Sequence, residues 1–106
     1  ADVLLMKSEA KIRNGGAGDE ELNRVRSRVG ASYREATLEN LLAERQLEFA
    51  WEGWRRQDLI RFDLFTRAYS SRPQLPDEGN GYTTVFPIPD KVRRMNPNLI
   101  QNPGYK

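Results

Sequence analysis

The strongest constraint on this chain is the place where its helical periodicity stops. Apolar residues recur at spacings of three and four up to about residue 68. All six prolines follow, at positions 73, 76, 87, 89, 97 and 103. A proline ring fixes φ and removes a backbone N–H, so it interrupts helices and sheet ladders alike. The pattern predicts a mainly α chain, helical over 1–68, with a Pro-rich irregular C-terminal tail over 69–106. With 106 residues it forms at most one domain. It buries roughly two thirds of its unfolded surface, enough for one modest core.

Within the helical part, Asp2 is placed to cap a helix over 2–13, whose first turn (Val3, Leu4, Leu5, Met6) is apolar nearly all round. Gly15, Gly16 and Gly18 stop it. Asp19 is placed to cap a second helix reaching residue 29, with Leu22, Val25 and Val29 as its apolar stripe and Gly30 beyond its end. Two antiparallel helices in about thirty residues form a tetratricopeptide-like helical hairpin. Thr37 opens a third segment, a long or kinked helix over 38–68 that is either bent or divided near Gly53. In the tail, Tyr82 to Phe86 reads as a short extended segment and Asp90 to Arg94 as one helical turn.

Chemistry is limited by two absences. There is no Cys and no His, which removes thiol and serine–histidine catalysis, disulfides and the usual zinc sites. An enzyme would have to use carboxylates, Tyr, Lys or Arg. The densest cluster is Arg45, Glu48, Glu52, Arg55, Asp58 and Arg61, with Glu44 beside it. Glu48 and Glu52, four apart, resemble a paired-carboxylate acid/base site or half of a metal site. Alternating signs that neutralise one another are more often structural. The cluster is therefore read as a structural charge network, with no catalytic residue, metal ligand or cofactor assigned. Arg24, Arg26, Arg28 and Arg34 form a basic run, but Asp19, Glu20, Glu21 and Glu35 flank it and the net charge is only +2. Nucleic acid is not an expected partner.

Arg45 and Glu52 share a helix face with Leu38, Leu41, Leu42 and Phe49. If that face is buried, both charges need partners. Arg45 is expected to bond a carboxylate or carbonyl from another segment. Glu52 is expected to pair with Arg55, Arg56 or an arginine of the second helix. Trp51, Trp54, Phe62, Phe65 and Tyr69 read as core packing, with stacking on sugar rings as the alternative.

Four blocks of sequence, in order, carry a family resemblance. The first is Ala1 to Met6 with Glu9-Ala10. The second is Leu22 to Arg26 with Arg28 and Gly30. The third is Glu44-Arg45, Glu48, Ala50, Glu52-Gly53, Arg55, Asp58-Leu59 and Arg61. The fourth is Phe86-Pro87-Ile88-Pro89, Asn96 to Leu99 and Gln101 to Tyr105. Together they resemble the C-terminal portion of the SusD/RagB family of outer-membrane nutrient-binding lipoproteins. Three places depart from the family pattern: Trp54 stands where His or a similar residue is usual, Arg56 and Gln57 stand where aromatics are usual, and the loops around 31–36 and 70–81 are short.

The resemblance implies non-enzymatic binding of nutrients, oligosaccharides above all, as the lid of a TonB-dependent transporter barrel. It implies an outer-membrane, cell-surface location and a lipid anchor in an N-terminal part outside this chain. No ligand-contacting residue transfers with it. The alternative reading is a helical protein–protein interaction module. In either case an apolar face is expected, to be covered by the rest of the parent chain or a second copy.

Overall fold

A computed structural model describes residues 1–69 and 71–106; Ser70 lies outside the described residues. Five α-helices appear in order: α1 (Asp2–Arg13), α2 (Asp19–Ser27), α3 (Leu38–Glu48), α4 (Arg55–Arg61) and α5 (Asp90–Met95). Two 3₁₀ turns, Glu78–Asn80 and Tyr82–Thr84, precede α5. Among the described residues there is no strand, only an isolated bridge between Tyr69 and Arg72. The fold is mainly α, as the periodicity predicts. It divides into two compact units, Ala1–Asp58 and Leu59–Lys106.

In the first unit, α1 and α2 form an antiparallel hairpin: Lys11 meets Glu21 at one end, while Leu4 and Val25 line one cleft near the other. Both helices end in the same hydrogen-bonded device. Gly15 and Gly30 adopt left-handed φ values of 76° and 70°. The next residues, Gly16 and Ala31, donate back to the carbonyls of Lys11 and Arg26. Those bonds satisfy carbonyls that the helix end leaves open. Thr37 caps α3 by accepting from Asn40 N. Lys11 and Arg13 near the C-terminus of α1, and Glu20 and Glu21 at the N-terminus of α2, complement the helix dipoles.

The core is small: Leu5, Leu22, Val25, Leu41, Leu42 and Phe49. Buried alongside it are Ser8, Glu9, Glu21, Arg26, Glu44, Arg45 and Asp58. This unit therefore buries seven polar or charged side chains against six apolar ones, so its polar pairing matters as much as its packing.

Several local expectations are corrected. Neither Asp2 nor Asp19 caps its helix. Asp2 bonds Arg45 instead, and Asp19 accepts from Tyr33 Oη and Ala36 N. Longer-range donors outcompete the local N–H groups. Val29 lies past the end of α2, and it, Val3 and Met6 are exposed, so α1 is not enclosed on all sides. The 38–68 segment divides into α3 and α4 by a turn that begins before Gly53: Trp51 already has φ 67°. Helix α4 stops at Arg61, not near 68, because Asp63 turns to φ 56° and Leu64 N closes onto Leu59 O. Phe62 and Phe65 are half-buried, not core. Tyr82–Thr84 is a 3₁₀ turn where an extended segment is expected.

The second unit is organised by side chains reaching into irregular backbone. Glu78 is completely buried. It accepts from Arg72, from Leu75 N at 2.9 Å and from Thr83 Oγ1 at 2.6 Å. Arg72 in turn lies over the Phe65 ring. Near the C-terminus, Gln101 exchanges both amide hydrogen bonds with the backbone of Ile88, at 2.8 and 3.0 Å. Asn102 Nδ2 donates to Phe86 O, and Tyr105 Oη to Val85 O. Pro87 and Pro89 offer no N–H, so backbone pairing is confined to the side that Ile88 presents, and there the Gln101 side chain takes the place of a strand.

Candidate functional site

The charged cluster predicted from the sequence is divided between α3 (Glu44, Arg45, Glu48) and α4 (Arg55, Asp58, Arg61), with Glu52 in the turn between them. Consecutive helix residues point about 100° apart, so Glu44 and Arg45 serve different neighbours. Glu44 reaches α2, where Arg26 binds it and Arg34 approaches to 3.7 Å. Arg26 Nε also donates to Ser32 O at 2.8 Å. One turn on, Glu48 receives both of its oxygens' bonds from Arg28 Nη2, at 2.6 and 2.8 Å. Arg26, Arg28 and Arg34 of the basic run thus face carboxylates of α3, while Arg24 is exposed and makes no ion pair among the described residues. Arg45 turns the other way. Its Nε donates to Asp58 Oδ2 and its Nη1 to Asp2 Oδ1, both at 2.9 Å, and its guanidinium lies 5.0 Å from the Phe49 ring centre. One buried side chain therefore ties α1, α3 and α4 together.

The other predicted members are placed differently. Arg55 is half-buried and makes a single long bond, 3.4 Å, to Leu42 O. Arg61 lies over the Phe62 ring. Glu52 is exposed and makes no ion pair among the described residues, because the turn at Trp51 carries it off the α3 stripe.

Beside Arg45 is a cleft of about 280 Å³. Phe49, Arg45 and Asp58 line it together with Gln46, Arg55 and Trp51. Phe49 packs against Trp54 with ring centres 6.4 Å apart. The Trp51 side chain is fully exposed. The spacing of Trp51, Trp54, Phe62, Phe65 and Tyr69 through a helix predicts core packing for Trp51, and the structure exposes it instead. The left-handed turn that expels it has no periodic signature.

A second site was not anticipated. Glu21, only 2 % exposed, holds Lys7 and Lys11 at 2.8 and 2.6 Å. Lys11 first and Lys7 second hold its carboxyl down at about 2, and Lys7 is raised in return. The donors from Ala36 N and Tyr33 likewise hold Asp19 below the usual carboxylate range. Among the described residues no group of three His, Cys, Asp or Glu is arranged to hold a metal ion.

A model of the SusD family matches residues 1–105. The chain belongs to the SusD family. It is 34% identical over 113 residues to "Starch-binding protein SusD" of Bacteroides thetaiotaomicron, an alignment covering 100% of this chain and 20% of that protein. The chain thus spans about a fifth of the length of the curated relative it matches. Both Arg45–Asp58 and the Gln101–Tyr105 clamp fall inside the matched span.

Proposed function

We propose that this SusD-family chain is the C-terminal portion of a cell-surface protein that binds nutrient oligosaccharides without chemically altering them. It would act as the lid of a TonB-dependent outer-membrane importer, anchored by lipid through an N-terminal part outside this chain. The observation that carries this reading is the family match across 1–105, together with a relative named for starch binding. The side-chain geometry agrees with a non-catalytic role. The buried carboxylates Glu44 and Asp58 each receive an arginine, which leaves neither poised to move a proton. On the same reading, the remainder of the longer protein covers Val3 and Met6, which share one exposed face of α1.

The test is calorimetric titration of the full-length protein with maltoheptaose and with other neutral oligosaccharides, followed by chromatography of the recovered sugar. Binding with unchanged sugar length supports the reading. Shortened products refute it. Co-purification of a transporter barrel from outer membranes tests the lid role separately.

A further inference from the structure

Trp51 differs from every other large side chain of the first unit. It carries φ 67°, a conformation that bulky L-residues rarely adopt, and its indole is fully exposed. No packing contact holds the ring, which projects from the left-handed turn into solvent. It stands at the rim of the 280 Å³ cleft. Along the cleft wall, Gln46 has no hydrogen-bond partner among the described residues, and Arg55 spends one donor on a 3.4 Å bond. Arg45 and Asp58 also face the cleft, but they neutralise one another. The cleft thus offers one exposed aromatic face, an apolar floor at Phe49, unspent donors and an unspent amide oxygen, and a single uncompensated positive charge.

We infer that Trp51, Gln46 and Arg55 form a glycan subsite that takes a single pyranose residue. The sugar's apolar face lies on the indole, and its hydroxyls accept from the Arg55 fork and exchange bonds with the Gln46 amide. The volume sits just below the roughly 300–1,000 Å³ of drug-sized pockets, which suits one sugar ring and not a long chain. The amphipathic faces of a pyranose match a platform that is apolar on one side and hydrogen-bonding on the other. This subsite rests on the glycan-binding reading above and adds to it a location and three residues.

The experiment uses the full-length protein labelled with 5-fluorotryptophan, with the Trp51 fluorine resonance assigned from Trp51→Phe. Maltoheptaose, cellohexaose and xylohexaose are titrated in turn. The expected result is a saturable shift of the Trp51 resonance with at least one of them. Arg55→Gln should raise the half-saturating concentration about tenfold, as loss of a hydrogen bond from a charged donor does. A second variant separates site from scaffold. Trp51→Gly relieves the left-handed strain, so it should raise the thermal midpoint while abolishing the local binding. If other tryptophan resonances move with sugar and Trp51 does not, this inference falls while the glycan reading stands. A Trp51 resonance insensitive to exchange of H₂O for D₂O shows that another part of the protein covers the ring, and also overturns it. No binding of any sugar overturns both.

Discussion

Arg45 Nε donates to Asp58 Oδ2 at 2.9 Å, and both side chains are only 3 % exposed. The pair joins α3 to the first turns of α4, across the turn in which Trp51 and Gly53 take positive φ. Arg45 also reaches Asp2, 43 positions earlier in the chain. A guanidinium can serve both carboxylates because its donors form a planar fork. A lysine at this position would supply a point charge and lose the geometry.

Breaking this pair from one side should be severe. Arg45→Ala leaves Asp58 buried without its arginine, and Asp58→Ala leaves Arg45 with only Asp2. Each should cost about 3–5 kcal/mol, read as a lower urea midpoint in chemical unfolding. Arg45→Met combined with Asp58→Leu should recover most of that loss, since a well-packed apolar pair is often neutral against a buried ion pair. Additive losses in the double variant would contradict the coupling.

The hairpin is sensitive at one glycine for steric reasons. A Cβ at Gly18 would lie 2.5 Å from Ser8 Oγ and 2.8 Å from Ser8 O. The φ there is an ordinary −102°, so the cost is close approach and not backbone strain. Ser8 Oγ also donates to Gly18 O at 2.8 Å, which makes the contact attractive as it stands. Gly18→Ala should destabilise by about 1–3 kcal/mol, as overpacking does. Adding Ser8→Ala should recover only part of it, because the Ser8 carbonyl remains in the way. Thermal midpoints of the wild type and the two variants check the order.

These two sites show what was legible in sequence and what was not. The end of α1 and the glycine stop after it were legible because breakers act within a few residues. That Arg45 would bond a carboxylate or carbonyl from another segment was legible too, because it sits on an apolar stripe and a buried charge requires company. Which carboxylates answer was not legible: Asp2 and Asp58 are brought there by folding, and Asp2 looked like a cap. Trp51 and Glu52 both lie past the end of α3 at Glu48, in a turn whose left-handed residue, Trp51, leaves no periodic signature. Glu78 gave no signal, because one acid among prolines and glycines has no period to read.

Acid should loosen the second unit. Arg72 first, then Thr83 and Leu75 N, hold the Glu78 carboxyl down at about 2, against an ordinary value of 4.5. A folded value below the unfolded one means that the unfolded chain binds the extra proton. The stabilisation is therefore complete above about pH 4.5 and is lost as pH falls toward 2. Glu21 titrates in the same direction in the first unit, through Lys11 and Lys7. Glu78→Gln should flatten the acid limb for the 72–84 segment alone. Amide exchange of Leu75 and of Gly81, whose N–H donates to Glu78 O, reports it between pH 5 and about pH 3. An unchanged acid limb in Glu78→Gln would remove this role.

The C-terminal clamp should depend on one amide. Gln101 stands in for a neighbouring strand, with its Nε2 donating to Ile88 O and its Oε1 accepting from Ile88 N. Gln101→Ala removes both bonds and leaves the half-buried Ile88 backbone groups unpaired beside two prolines that offer no N–H. At 0.5–1.5 kcal/mol net for each bond, the local loss is about 1–3 kcal/mol. Gln101→Glu keeps the acceptor and loses the donor, so it should lie between wild type and alanine. The Asn102–Phe86 and Tyr105–Val85 bonds remain in all three proteins, so global unfolding should shift little. Faster exchange of the Ile88 amide, together with earlier protease cleavage between Val85 and Asp90, is the expected result. Equal exchange at Ile88 in Gln101→Ala and wild type would show that the prolines alone hold this segment.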